Sequence, residues 1–196
     1  MSRSTIREAV KILVSKNILA IERGRGTFVC NDPGVVDDPF GLEFINRDIL
    51  IDDLYEFRKT VEPVVCSLAA ERATKKQKKE MESLIEKMVH IISENGDSES
   101  KEEIIDEMTE NEINFHTLLY KMSNNIIFIR LIPIINKSIV ENYMELDYRK
   151  GYINKICADS HREIYEIICS GNKEEAYNVC KQHMIIMQNM LKGVFK

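Results

Sequence analysis

Leu19-Ala-Ile-Glu-Arg-Gly-Arg-Gly-Thr-Phe-Val29 is the stretch around which the rest of the chain can be placed. Two β-prone arms flank Arg-Gly-Arg-Gly, and glycine supplies the positive φ that a tight hairpin demands. The pattern predicts a β-hairpin with a basic tip. On its N-terminal side, Ser4 to Ser15 puts Ile6, Ala9, Val10 and Leu13 on one face and Arg3, Arg7 and Lys11 on another, as in a short amphipathic helix with a cationic outer side. On its C-terminal side, Asn31-Asp-Pro-Gly-Val-Val-Asp-Asp-Pro39 is dense in turn formers and reads as a linker.

From Phe40 onward glycine and proline are sparse and the apolar spacing is helical almost throughout. Helices are predicted at about 40–46, 51–73, 75–95, 99–121, 125–147, 158–170 and 173–195. Thr74 and Ser160 are the expected N-caps, and Ser170-Gly171-Asn172 is a glycine-centred stop between the last two helices. Pro63 and Pro133 fall inside apolar-periodic stretches and are expected to kink or interrupt them. Glu94 to Ser100 reads as a solvated interhelical loop. The expected fold is mainly α: a helix with a hairpin over residues 1–30, a linker over 31–39, and a helical bundle over 40–196.

With 196 residues and 44% hydrophobic content, the chain can fill one ordinary core and a smaller one. Cys30, Cys66, Cys157, Cys169 and Cys180 form an odd set without a CxxC pair, which reads as reduced thiols in a cytoplasmic protein rather than a disulfide framework or zinc finger. No apolar run reaches membrane-spanning length, and the N-terminus lacks a signal-type apolar segment. The net charge of −5 is unevenly spread: residues 1–30 carry +4 and the remainder −9. A basic head on an acidic body is the pattern of an anion-binding module carried by a domain with another task.

Histidine is scarce: His90, His116, His161 and His183 are all there are. Glu112 and His116 are four residues apart on one predicted helix and therefore face the same way. His161 and His183 lie on the next-to-last and last helices, so one carboxylate and three imidazoles can converge inside a bundle on a divalent ion: zinc first, with nickel, iron or manganese as others such donors accept. Isolated helical histidines also serve as caps or half-buried packing residues, and spacing alone leaves both readings open.

Ser2-Arg-Ser-Thr-Ile-Arg-Glu-Ala-Val10, Ile18-Leu19 and Arg23-Gly-Arg-Gly-Thr-Phe-Val29 together resemble the recognition helix and wing of the GntR family of bacterial regulators. The resemblance implies a winged helix-turn-helix in which Arg3, Ser4, Thr5 and Arg7 meet operator DNA from the helix, and Arg23, Gly24 and Arg25 from the wing. Arginine forks reading guanine edges, with small hydroxyls and a glycine tip permitting close approach, fit that role. The motif starts partway in, and Ile6, Val10 and Leu13 lack their usual cover, so residues 1–196 alone are expected to bind operator weakly or not at all.

Glu112-Ile-Asn-Phe-His116, Ser160-His-Arg-Glu-Ile-Tyr-Glu-Ile-Ile-Cys-Ser-Gly-Asn172 and Glu174-Glu-Ala-Tyr-Asn-Val-Cys-Lys-Gln-His183 resemble the FCD effector domain of the FadR subfamily, as do Leu54 to Glu62 and Leu68 to Arg72. The resemblance implies metal ligands at Glu112, His116, His161 and His183, a small carboxylate effector on the metal with Arg58 as its partner, and a homodimer. Arg58 has an alternative role in a salt bridge with Glu62; Tyr120 and Arg130 are further candidates to line the cavity. The first ligand in that family is usually Asp, and the longer Glu112 bears on metal identity more than on metal presence. His90 matches no motif and reads as a surface or packing residue. Two other readings stand beside that of a regulator. A metal-dependent hydrolase would need an acid/base set that the sequence does not display, and a headless dimerisation form would antagonise full-length subunits.

Overall fold

The computed structural model describes residues 2–31, 33–34, 38, 40–95, 102–145 and 151–191. The chain divides into two compact units, Met1–Ile45 and Asn46–Lys196.

In the first unit, α1 spans Arg3–Ser15. The Ser2 side chain accepts from the Thr5 amide at 3.1 Å and so satisfies one of the donors that a helix start leaves free. Asn17 takes a left-handed φ of 52° beyond the helix and turns the chain into β1, Leu19–Glu22. β1 pairs antiparallel with β2, Gly26–Val29, in the register Leu19 to Val29 through Glu22 to Gly26. Gly24 at φ 78° and Gly26 at φ 129° make the reversal, as the Arg-Gly-Arg-Gly spacing predicts. No residue of α1 is buried, and Ile6, Ile12, Ile21, Phe28 and Val29 are all exposed.

The helix expected at 40–46 is only a 3-10 turn, Leu42–Phe44. Gly41, at φ 66°, breaks helical geometry just before it, and the Asp38 carboxylate caps the Leu42 and Glu43 amides at 2.8 and 3.0 Å. The linker expected at 31–39 and the loop at 94–100 lie partly outside the described residues.

The second unit consists of α2 (Arg47–Arg72), α3 (Lys75–Asn95), α4 (Glu102–Met122), α5 (Ile126–Arg130), α6 (Ile132–Glu145), α7 (Gly151–Ser170) and α8 (Lys173–Leu191). α2 is central: it packs on α8 most extensively and also meets α4, α6 and α7, while α3 covers α4 and α7. Val65, Ala69, Phe115, Leu119, Ile139, Ile164, Ile168 and Ala176 are buried along these contacts. Seven methionines, Met81, Met88, Met108, Met122, Met184, Met187 and Met190, are buried with them. Unbranched thioethers of this kind adapt to irregular spaces between packed helices.

Thr74 caps α3 in a reciprocal box: the Gln77 amide donates to Thr74 Oγ1 at 3.2 Å, and the Thr74 amide to Gln77 Oε1 at 3.0 Å. Gly171, at φ 78°, ends α7 as the sequence suggests. Three expectations differ. α2 runs through Pro63 without interruption, with Glu62 and Val65 buried on either side of the proline. The stretch expected as one helix over 125–147 splits at Leu131, which puts Pro133 in the first turn of α6, where its missing N–H costs nothing. α7 starts at Gly151 rather than near residue 158, so Ser160 is an interior residue and not a cap. No helix among the described residues is long and apolar enough to cross a membrane.

Candidate metal and effector site

Two helical stripes build the polar centre of the bundle. On α2, Tyr55, Arg58 and Glu62 follow one another at helical spacing, and on α4 so do Glu112, His116 and Tyr120; all six are buried. α7 adds His161 and α8 adds His183, both buried. The ligating atoms of His116, His161 and His183 lie within 4.8 Å of one another. Glu112 Oε1 is 3.1 Å from His116 Nε2 and 3.4 Å from His161 Nε2. Thus the four residues singled out in the sequence, from three helices, meet in one place. Phe115 stacks on His161 at 4.1 Å between ring centroids and fixes the plane of that imidazole.

Several buried atoms at this centre have no protein hydrogen-bond partner: Glu112 Oε2, both nitrogens of His161, and His183 Nε2. Burying such groups without partners costs about 1–3 kcal/mol each. Three imidazoles at ligand spacing, with a carboxylate beside two of them, fit a divalent cation by donor chemistry as well as by burial.

Serine 160 supplies a contact that the sequence does not reveal. Its hydroxyl donates to the Cys157 carbonyl at 2.9 Å and accepts from His183 Nδ1 at 2.9 Å, which leaves His183 Nε2 bare toward the centre. Serine before a helical apolar run reads as a cap, and only the approach of α8 reveals this second role.

Arg58 donates through Nε to Glu62 Oε1 at 2.6 Å, so the salt bridge weighed as its alternative role is formed. Its Nη2 lies 3.4 Å from His116 Nδ1 and 3.2 Å from Nε2. A nitrogen so nearly equidistant from both ring nitrogens lies on neither lone-pair axis, so this is a packing contact. Tyr120 is buried within this centre, whereas Arg130 is exposed on the short α5 and does not join it. His90 lies on the surface beside Glu94 at 3.4 Å.

Electrostatics follow from enclosure. Burial pushes the His161 imidazole down to about 4 despite the nearby Glu112, and burial with the other two imidazoles holds His183 well below the usual range. Burial opposes the charge on Glu112 too, but the surrounding imidazoles outweigh it and hold this carboxyl at about 2. For Glu62, burial is likewise outweighed, by Arg58 and His116, and its pKa is lowered. His116 is raised: Glu62 overcomes burial.

These directions set a stability profile for the metal-free chain. Two imidazoles with depressed values contribute stability above the ordinary 6.5 and lose it as pH falls toward about 4, because the unfolded chain then binds protons that the folded one refuses. His116 adds no loss in that window, since it is charged in both states. Unfolding by urea should therefore become easier from pH 6.5 to 4, by up to about 1.4 kcal/mol per pH unit for each imidazole. A flat profile would exclude neutral buried rings.

In the first unit, Arg3, Ser4, Thr5 and Arg7 are exposed around the start of α1, and Arg23, Gly24 and Arg25 at the hairpin tip. The Ser4 and Thr5 hydroxyls gather on Ser2 Oγ at 2.6 and 2.9 Å. The first turn of α1 holds no acidic residue, which leaves its positive end open to phosphate.

Comparison with known proteins places these features. The FCD domain matches residues 53–185, a span that includes Arg58, Glu62 and all four converging residues. The chain is 24% identical over 202 aligned residues to the HTH-type transcriptional regulator LutR of Bacillus subtilis, covering 100% of this chain and 87% of that protein. It is 30% identical over 129 residues to the galactonate operon transcriptional repressor of Escherichia coli, covering 63% of this chain and 52% of that protein. Among solved structures, Streptococcus agalactiae GntR superposes with a TM-score of 0.77 at 30% identity, covering 96% of this chain and 82% of that one. These relatives are named as transcriptional regulators, not enzymes. The chain belongs to the FCD-domain family of GntR-type transcriptional regulators.

Proposed function

We propose that this regulator senses a small organic acid through a metal ion held by Glu112, His116, His161 and His183, and reads operator DNA with Arg3, Ser4, Thr5, Arg7, Arg23, Gly24 and Arg25. The observation that carries this reading is the convergence of three buried imidazoles beside the Glu112 carboxylate, with Glu112 Oε2, both nitrogens of His161 and His183 Nε2 lacking a hydrogen-bond partner. Zinc suits the donor set best, and nickel, iron or manganese are also compatible with it. A divalent ion at this place supplies a Lewis-acid anchor for a carboxylate oxygen.

The chain's own residues do the rest. Phe115 and Ser160 orient His161 and His183, while Glu62 and Glu112 contact His116. Arg58, beside His116, offers a cation to the acid, which must share the fork that Glu62 already occupies. The E. coli relative is named for a galactonate operon, and galactonate is a carboxylate. In this reading residues 1–30 form the DNA-reading part, 31–39 the linker and 40–196 the sensing and dimerising part, and the protein works as a homodimer in the cytoplasm. Acid binding biases how the two sensing parts present their heads.

Elemental analysis with native mass spectrometry of the purified chain tests the reading. The expected result is about one divalent ion per chain and a dimer mass. Metal-free protein from metal-supplemented growth would overturn the four-ligand site.

A further inference from the structure

Glu62 is fully buried at the middle of α2 and stands outside the four converging residues, yet it touches the site from behind. Its Oε2 is 3.3 Å from His116 Nδ1, and its Oε1 takes the Arg58 Nε donor at 2.6 Å. A carboxylate only accepts, so the His116 contact is favourable only with the ring proton on Nδ1. The other nitrogen, Nε2, then presents a lone pair toward Glu112 Oε1 at 3.1 Å. Two acceptors at that separation attract only when a cation or proton lies between them.

Resting on the metal reading above, we propose that Glu62 is a positioning residue for the metal. It holds the proton of His116 on Nδ1 and so keeps Nε2 turned inward and free to coordinate. The carboxylate also raises the donor strength of that ring, as outer partners of metal-bound imidazoles do. From α7, Ser160 does the same for His183 on α8 with a neutral hydroxyl, so the two rings are held by acceptors of different strength. Glu62 is the stronger, and His116 is the ring whose coordination depends more on its support.

The test uses the full chain and zinc or cobalt(II) alone. Glu62→Gln keeps the shape and an acceptor but removes the charge. Zinc affinity by chelator competition should fall about 10–100-fold, and the cobalt(II) absorption bands should shift. Because Arg58 loses its partner in that variant, Arg58→Met with Glu62→Gln removes the ion pair as a unit and is measured beside it. A purely structural role for Glu62 predicts wild-type zinc affinity and an unchanged cobalt(II) spectrum in the folded double variant, and that result overturns the proposal. Weakened binding with shifted bands in the double variant supports it. Failure of the wild-type chain to bind zinc would instead overturn the metal reading on which the proposal rests.

Discussion

Replacing Arg58 by methionine is expected to destabilise the chain by about 3–5 kcal/mol, the cost of breaking a buried ion pair from one side. Arg58 and Glu62 are both buried, joined by the 2.6 Å Nε contact and a longer one at 3.4 Å. Methionine can occupy much of the arginine stem's volume, so the loss comes from Glu62, which stays in the interior with the His116 ring in place of a permanent cation beside it. Pairing Arg58→Met with Glu62→Gln should recover most of the stability, since a neutral pair of similar shape carries no stranded charge. Urea unfolding of the wild-type, single and double variants measures this directly. A single variant within about 0.5 kcal/mol of the wild type, the usual scale of surface changes, would mean that the pair is not sealed from water.

The second large effect falls on His161→Ala, which should remove metal binding far beyond the about 10–100-fold cost of losing an outer-sphere partner. Both of its nitrogens are buried without a hydrogen-bond partner, and Phe115 stacks on the ring at 4.1 Å. In this position the imidazole contributes little to folding that alanine would forfeit except volume, so metal content and stability should separate. The metal-free variant should unfold at a urea concentration close to that of the metal-free wild type, while isothermal titration with zinc shows no high-affinity event. Retention of stoichiometric zinc by the folded variant would remove His161 from the ligand set.

The hairpin was readable because its requirement is local: Gly24 and Gly26 adopt the positive φ for which their spacing asks. The bundle was readable because apolar periodicity is strong over long stretches, although boundaries moved wherever tertiary contact overrode a local signal. Ser160 shows how this happens. Its sequence context is that of a cap, but α7 extends nine residues before it and its hydroxyl instead serves a ring on α8, 23 residues away. The convergence of Glu112 and His116 followed from their spacing on one helix, whereas the meeting of α4 with α7 and α8 rested on likeness to a family. The Arg58 and Glu62 pair was legible as a possibility from its i,i+4 spacing. That Glu62 also reaches His116 depends on how α2 crosses α4, which no local pattern encodes.

The methionine-filled core gives the molecule a chemical memory of its own opening. Thioethers on Met81, Met88, Met108, Met122, Met184, Met187 and Met190 are shielded while the helices stay closed, so peroxide reaches them only during excursions of the bundle. Each sulfoxide is polar and poorly tolerated where its thioether was packed, so one oxidation makes the next excursion easier. Oxidative damage in such a core is therefore self-accelerating, paced at first by how often the helices part and later by the damage already done.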